Sequence, residues 1–180
     1  IAASDGRGGG LIASIEKKNV TIKNCYFTGK IGAGKFKGGL VGFVSESIAN
    51  TISINNSYVA TDVTVVSDST NAGSQYVRYN NVYCTEELSN ATGITVLIKE
   101  QMTGLNAVNN MSNLDFMETW NVVPGKTPSL VKPGESTNYG RFVNIRIALL
   151  TDSIDDDDDI NVDSVFDIRD LVVAMLNMLN

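Results

Sequence analysis

The feature that most narrows what this chain can fold into is internal repetition. Gly-Gly-Leu-Ile-Ala-Ser at 9–14 returns 29 positions later as Gly-Gly-Leu-Val-Gly-Phe at 38–43. Ile22-Lys23-Asn24-Cys25-Tyr26-Phe27 returns 32 positions later as Ile54-Asn55-Asn56-Ser57-Tyr58-Val59, and Asn81-Val82-Tyr83 is a fainter copy 25 further on. Each unit reads as a Gly-Gly-Leu element, a variable loop and an alternating strand ending in Asn-x-Tyr. Strands that recur at such intervals fit a solenoid, in which each unit buries its apolar face against its neighbours.

Within the units the apolar period is two. Val20 and Ile22 share one face, opposite Thr21 and Lys23, and Ile52 and Ile54 repeat the pattern against Ser53 and Asn55. That is the mark of a strand with one face in a core. Tyr58–Val65 reads the same way, with Val59, Val63 and Val65 in one row interrupted by Thr61. The pairs around Gly32, Gly34, Gly38 and Gly39 suggest tight corners with positive φ. Leu105, Met111, Leu114, Phe116 and Trp120 form the bulkiest apolar cluster of this half. They are expected to plug the last coil, whose open end would otherwise invite another chain.

Composition removes several chemistries. The chain has no His, so neither a Ser-His-Asp nor a Cys-His nucleophile pair nor a His-bound metal can form. Carboxylate acid–base catalysis survives that filter. Glu86-Glu87 and Asp62/Asp68, however, read as solvated strand ends, with no acids converging on one face. Cys25 and Cys84 form no C-x-x-C motif; a single disulfide and two small buried side chains both remain open. No apolar run reaches the ~20 residues that span a bilayer. Residues 1–134 carry 11 basic and 10 acidic side chains, and residues 135–180 carry 3 and 10, so the net charge of −6 resides in the tail. Such a tail repels nucleic acid and anionic membranes and suits a hard cation. The chain opens without Met in mid-repeat, which reads as a C-terminal piece of a longer protein.

Gly38-Gly39-Leu40-Val41-Gly42, with Asn24-Cys25-Tyr26-Phe27-Thr28-Gly29 before it, resembles the GLUG motif of bacterial surface adhesins and of the non-catalytic part of IgA-protease-like proteins. Gly104–Met111, Leu114-Asp115-Phe116, Trp120 and Pro128-Ser129-Leu130 resemble the closing segment of such arrays. The likeness covers about 8–131, and Ala13 stands where the second copy has Gly42. It implies a mainly β chain: a right-handed β-helix with a short helical cap, taken here as domain 1–131.

The tail points to calcium. Asp159, Asn161, Asp163, Asp167 and Asp170 occupy positions 1, 3, 5, 9 and 12 of a twelve-residue loop, with the Val165 carbonyl at position 7. That is the spacing of an EF-hand-like loop that gathers six to eight oxygens around Ca2+. Position 6 is Ser164 rather than Gly, and position 12 is Asp rather than Glu. The apolar stretch Leu171–Leu179 follows as a helix, and a second is expected from Ile145 to Leu150. Asp167–Val172, with no helix entering the loop, is similar to a dockerin, a module that clips bacterial proteins to cohesins. Ser136–Ile147 aligns 23 positions earlier as a degraded second copy keeping the shape without the ligands. The resemblance spans about 135–180 and implies a small α-helical calcium-loop module at 132–180 that holds one Ca2+. It also implies a partner-facing surface drawn from Ile145, Arg146, Ile168, Arg169, Val173 and Leu176.

The sequence thus reads as a secreted or cell-surface protein that is not an enzyme. Its body is adhesin-like, with a carbohydrate or host-surface ligand, and its tail docks to a cohesin-like protein or to another copy of itself. Two other readings stand beside this one: a structural subunit of a head-to-tail extracellular filament, and a β-helix carbohydrate-active enzyme.

Overall fold

The computed structural model describes residues 6–16, 19–45, 52–67, 77–86, 91–151 and 168–179. Contacts divide the chain into two compact units, Ile1–Lys99 and Glu100–Asn180. The repeat pattern places the boundary at 131/132 instead. Residues 100–131 group with the C-terminal segment because Phe116, Met117, Asn121 and Val122 bond directly to Thr137 and Asn138, where a later helix begins.

In the first unit two sets of strands run parallel, each pairing with its own repeat. In one set β1 (Arg7–Gly9) pairs with β4 (Phe36–Gly38), and single bridges continue the pairing at Ile12–Val41 and Ile15–Val44, all at the offset of 29 read from sequence. A third rung follows at Thr64–Ser67. Its carbonyls at Thr64 and Val65 accept the amides of Gly39 and Leu40, and its Ser67 amide donates to the Val41 carbonyl. This rung has no Gly-Gly-Leu signature. The expected single strand Tyr58–Val65 does not form: its first half ends at Val59, and Val65 belongs to this other ladder.

In the second set β2 (Val20–Lys23) and β3 (Tyr26–Phe27) both pair with β5 (Ile52–Val59), β5 pairs with β6 (Val77–Cys84), and β6 pairs with β7 (Ile94–Val96). The offsets are 32 and 25 for the first two steps, as the sequence copies indicate. Alternation alone does not describe these strands. Asn24, Asn56 and Asn81 hold the left-handed conformation, with φ of 52°, 46° and 54°. They fall at equivalent positions of three successive rungs, and the Asn81 side-chain amide donates to Asn56 Oδ1 at 2.9 Å. Asn tolerates this conformation better than other residues bearing a Cβ. It also shifts the pleat by one residue, so inward positions run i, i+2, i+5, i+7: Ile52, Ile54, Ser57 and Val59 in β5, and Val77, Tyr79, Val82 and Cys84 in β6. Ile22, Ile52, Ile54, Val59, Val82 and Cys84 are buried together with Leu40, Val41, Val44, Val65 and Val66. Lys23 is exposed and Asn55 half-buried, facing away from that core.

The repeated glycines are explained by close approach rather than by positive φ. A Cβ on Gly38 would stand 2.0 Å from the Val41 carbonyl oxygen and 2.7 Å from the Ser67 nitrogen, and one on Gly9 would overlap the Ile12 carbonyl. Gly32, Gly34, Gly38 and Gly39 are not among the positive-φ residues.

Cys25 and Cys84 are both free. In register they are two rungs and two residues apart. At about 4.8 Å per rung and 3.3 Å per residue their Cα atoms are ~12 Å apart, beyond the reach of a disulfide.

The second unit is built from local pieces. A 3-10 turn (Lys99–Met102) leads to the short helix α1 (Leu105–Asn110), and an antiparallel pair comes next, β8 (Trp120–Asn121) with β9 (Ser129–Leu130). Met111, Leu114, Phe116 and Trp120 are buried, and Leu105 is half-buried. Two helices, α2 (Asn138–Thr151) and α3 (Ile168–Leu179), pack on one another. The degraded second loop copy, Ser136–Ile147, is not a loop: it is helical from Asn138 onward, seven residues before the expected start at Ile145. Thr137 caps that helix, its Oγ1 accepting the Gly140 amide at 2.8 Å. The same fully buried hydroxyl lies 2.7 Å from the Phe116 carbonyl and 2.8 Å from that of Met117. Asn121 Oδ1 accepts the Asn138 amide, and the Asn138 side chain donates to the Val122 carbonyl.

Candidate functional site

Of the expected calcium ligands, Asp159, Asn161, Asp163, Val165 and Asp167 lie outside the described residues. Asp170 is described: it sits in the first turn of α3 and is fully buried. A carboxylate there gains from the helix dipole, but burial of its charge demands compensating partners. The residues expected to face a partner divide. Ile145 is fully buried, so it belongs to no exposed face of α2, while its neighbour Arg146 is exposed. Ile168 and Arg169 open α3, though their side chains lie outside the described set. Val173 is half-buried, and Leu176 is 48% exposed beside Val172 and Met175. Among the described residues no three acidic or cysteine side chains gather as metal ligands.

A second site lies in the first unit, where the strands of the Asn-bearing ladder end. Phe27, Val59, Cys84 and Val96 are in register on four successive rungs. The next residues keep the ladder for one more step: Ala60, Thr85 and Leu97 donate their amides to Phe27, Val59 and Cys84. Just beyond, the chain turns away and leaves a trough of about 510 Å³. Its charged walls come from different rungs, Lys30, Asp62, Glu86 and Lys99 in that order. Hydroxyls of Thr28, Thr61 and Thr85 and the apolar side chains of Ala60 and Ile98 complete the lining. Thr85 Oγ1 donates to the Thr61 carbonyl at 2.6 Å, and Thr61 Oγ1 donates to Asp62 Oδ1 at 3.0 Å. These bonds fix the Asp62 carboxylate from the rung behind it. No ion pair joins Lys30 to Asp62 or Glu86 among the described residues.

Comparison with known proteins adds nothing to this geometry. No family model, curated protein or solved structure matches the chain.

The trough is what sequence reading misses. In sequence Asp62 and Glu86 look like unrelated solvated strand ends. The structure instead sets both acids, flanked by two lysines, along one wall of the ladder. The signal is present only as an offset, since Thr61 and Thr85 are 24 positions apart, close to the 25-residue step between β5 and β6. Two other groups bear on reactivity. Burial pushes the Cys25 thiol above its ordinary pKa, which disfavours the nucleophilic thiolate. Burial likewise raises Tyr79 far above the usual tyrosine value.

Proposed function

We propose that this is a non-catalytic secreted or cell-surface protein. In this reading the first unit is part of a right-handed β-helix with an adhesin-like role. The C-terminal segment is dockerin-like, binds one Ca2+ through Asp159, Asn161, Asp163, Val165, Asp167 and Asp170, and docks to a cohesin-type partner. Support for the β-helix comes from two ladders of parallel rungs, each rung pairing with the equivalent residues of the next. The calcium reading is carried by Asp170. The last ligand of the loop spacing is a fully buried carboxylate in the first turn of a helix, the position from which it would close a calcium shell. The degraded second copy is helical, so a single ion is expected rather than two.

Calorimetry with CaCl2 on the full chain tests this. One site is expected in the wild type, with at least a tenfold loss of affinity in Asp170→Asn. At a hundredfold excess over Kd, calcium should stabilise the folded protein by about 2.7 kcal/mol. No heat in the wild type, or two equal sites, would refute the reading.

The trough favours a second reading, a carbohydrate-active enzyme, because it provides the paired acids that such chemistry requires. Both acids are exposed in an open trough, without the water-excluding enclosure that strengthens acid–base catalysis. For that reason the non-catalytic reading is preferred. Release of shorter sugars from a polysaccharide by the purified chain, abolished in Glu86→Gln, would reverse the preference.

A further inference from the structure

The geometry points to the trough at the strand ends as a binding groove for an extended, uncharged oligosaccharide of β-1,4-linked hexoses. This deepens the surface-protein reading above and rests on it. The case begins with spacing. Four rungs contribute to the trough, and three inter-strand steps of about 4.8 Å give it a length of ~14 Å. One rung step is close to the length of one sugar in an extended β-linked chain, so about three sugars would lie along the row with each meeting a new rung.

The chemistry of the walls matches that repeat. Two lysines and two acids line the trough, so it carries no net charge to favour a polyanion or a polycation. Each carboxylate can accept two hydroxyl protons and each ammonium can donate three. Neighbouring hydroxyls on a sugar ring supply paired partners of that kind. Asp62 is already held by Thr61, and Thr61 by Thr85, so little ordering cost remains at the centre of the groove. Ile98, 62% exposed at one end of the lining, offers an apolar surface for the C–H face of a ring. A saccharide uses both kinds of wall at once.

The test is titration of the full chain with cellohexaose, followed by NMR amide shifts and calorimetry. Maltohexaose serves as the probe of the same size but curved shape, and hexagalacturonate as the charged probe. Saturable binding of cellohexaose is expected at a Kd of about 1 mM or tighter, the range of a shallow polar groove. Shifts should centre on 28–30, 60–62, 85–86 and 97–99. Asp62→Ala and Glu86→Ala should each weaken binding tenfold or more, with melting temperature unchanged because both side chains are exposed. Lys37→Ala, remote from the lining, should bind as wild type. Absence of cellohexaose binding would overturn the assignment, as would equal affinity for maltohexaose, tighter binding of hexagalacturonate, or indifference to both acid substitutions. Chelator should leave sugar binding intact, so loss of calcium binding and loss of sugar binding are separable failures. Cleavage of bound cellohexaose would confirm the groove while overturning only the non-catalytic reading.

Discussion

The two units of this chain are stabilised in different ways. In the first, strand pairings join residues 12 to 32 positions apart, and several residue types recur from one rung to the next. In the second, the strand pair joins residues 8 and 10 apart, and a helix start is fixed by unrepeated bonds of Thr137 and Asn138 to residues 116–122. The difference teaches where each unit is vulnerable. A stacked ladder fails where two rungs must touch, because the same close approach recurs down the stack. A unit without repeats fails at its single-copy junctions.

The sharpest way to break the first unit is therefore Gly38→Ala. Its new methyl would meet backbone atoms of two neighbouring segments, and neither can yield without parting the rungs. A loss above ~3 kcal/mol is expected, at the top of the range for overpacking, measured by urea unfolding. Gly125→Ala is the control: its φ of 62° strains any side chain, but nothing lies within 4 Å, so about 1 kcal/mol is expected. If the two variants cost the same, close contact is not what these glycines serve.

Next in size is the asparagine column. Asn56→Ala loses both the tolerance for positive φ and the bond from Asn81, together about 2 kcal/mol. Asn56→Gly loses only the bond, about 1 kcal/mol. A reversed order in chemical denaturation would show that the side-chain ladder matters more than the backbone bend.

In the second unit Thr137→Ala removes a helix cap and the single hydroxyl proton that two carbonyls share, a cost of about 1–2 kcal/mol. Thr137→Ser should recover most of it. Equal damage from both would point to the lost methyl group.

The smallest effect appears only in alkali. Burial raises the Tyr79 pKa in the folded state, so folded protein holds a proton that the unfolded chain releases above about pH 10. The stability linked to this group is complete below that pH and falls as pH rises beyond it. Tyr79→Phe should flatten the alkaline limb of a stability–pH curve.

These particulars also separate what is legible in the sequence from what is not. Offsets of 29, 32 and 25 are legible because equivalent rungs face equivalent neighbours and keep similar residues. The third rung of the Gly-Gly-Leu ladder is hidden: Val65 and Val66 fill the same place without a glycine signature. The phase shift at Asn24, Asn56 and Asn81 is hidden too, since a left-handed residue leaves no trace in hydropathy. Helix α2 looks like a loop in sequence because Asn138, Gly140 and Asn144 resemble ligand and turn residues. Thr137, the cap that overrides them, acts through carbonyls some twenty positions upstream. The trough is invisible for a related reason, its charges coming from four segments that meet only when the rungs stack.

The same offsets set the order in which this protein can be built. When Val20–Phe27 leaves a ribosome, its partner β5 is still about 30 residues from emerging, a wait of roughly 2–6 s at 5–20 residues per second. Through that interval the strand has an apolar face and an edge still waiting for β5. Distant pairings also close slowly compared with helices. The first unit is thus at greatest risk of going astray while it is being made, and a chaperone that shields Val20, Ile22 and Phe27 for a few seconds would protect it most.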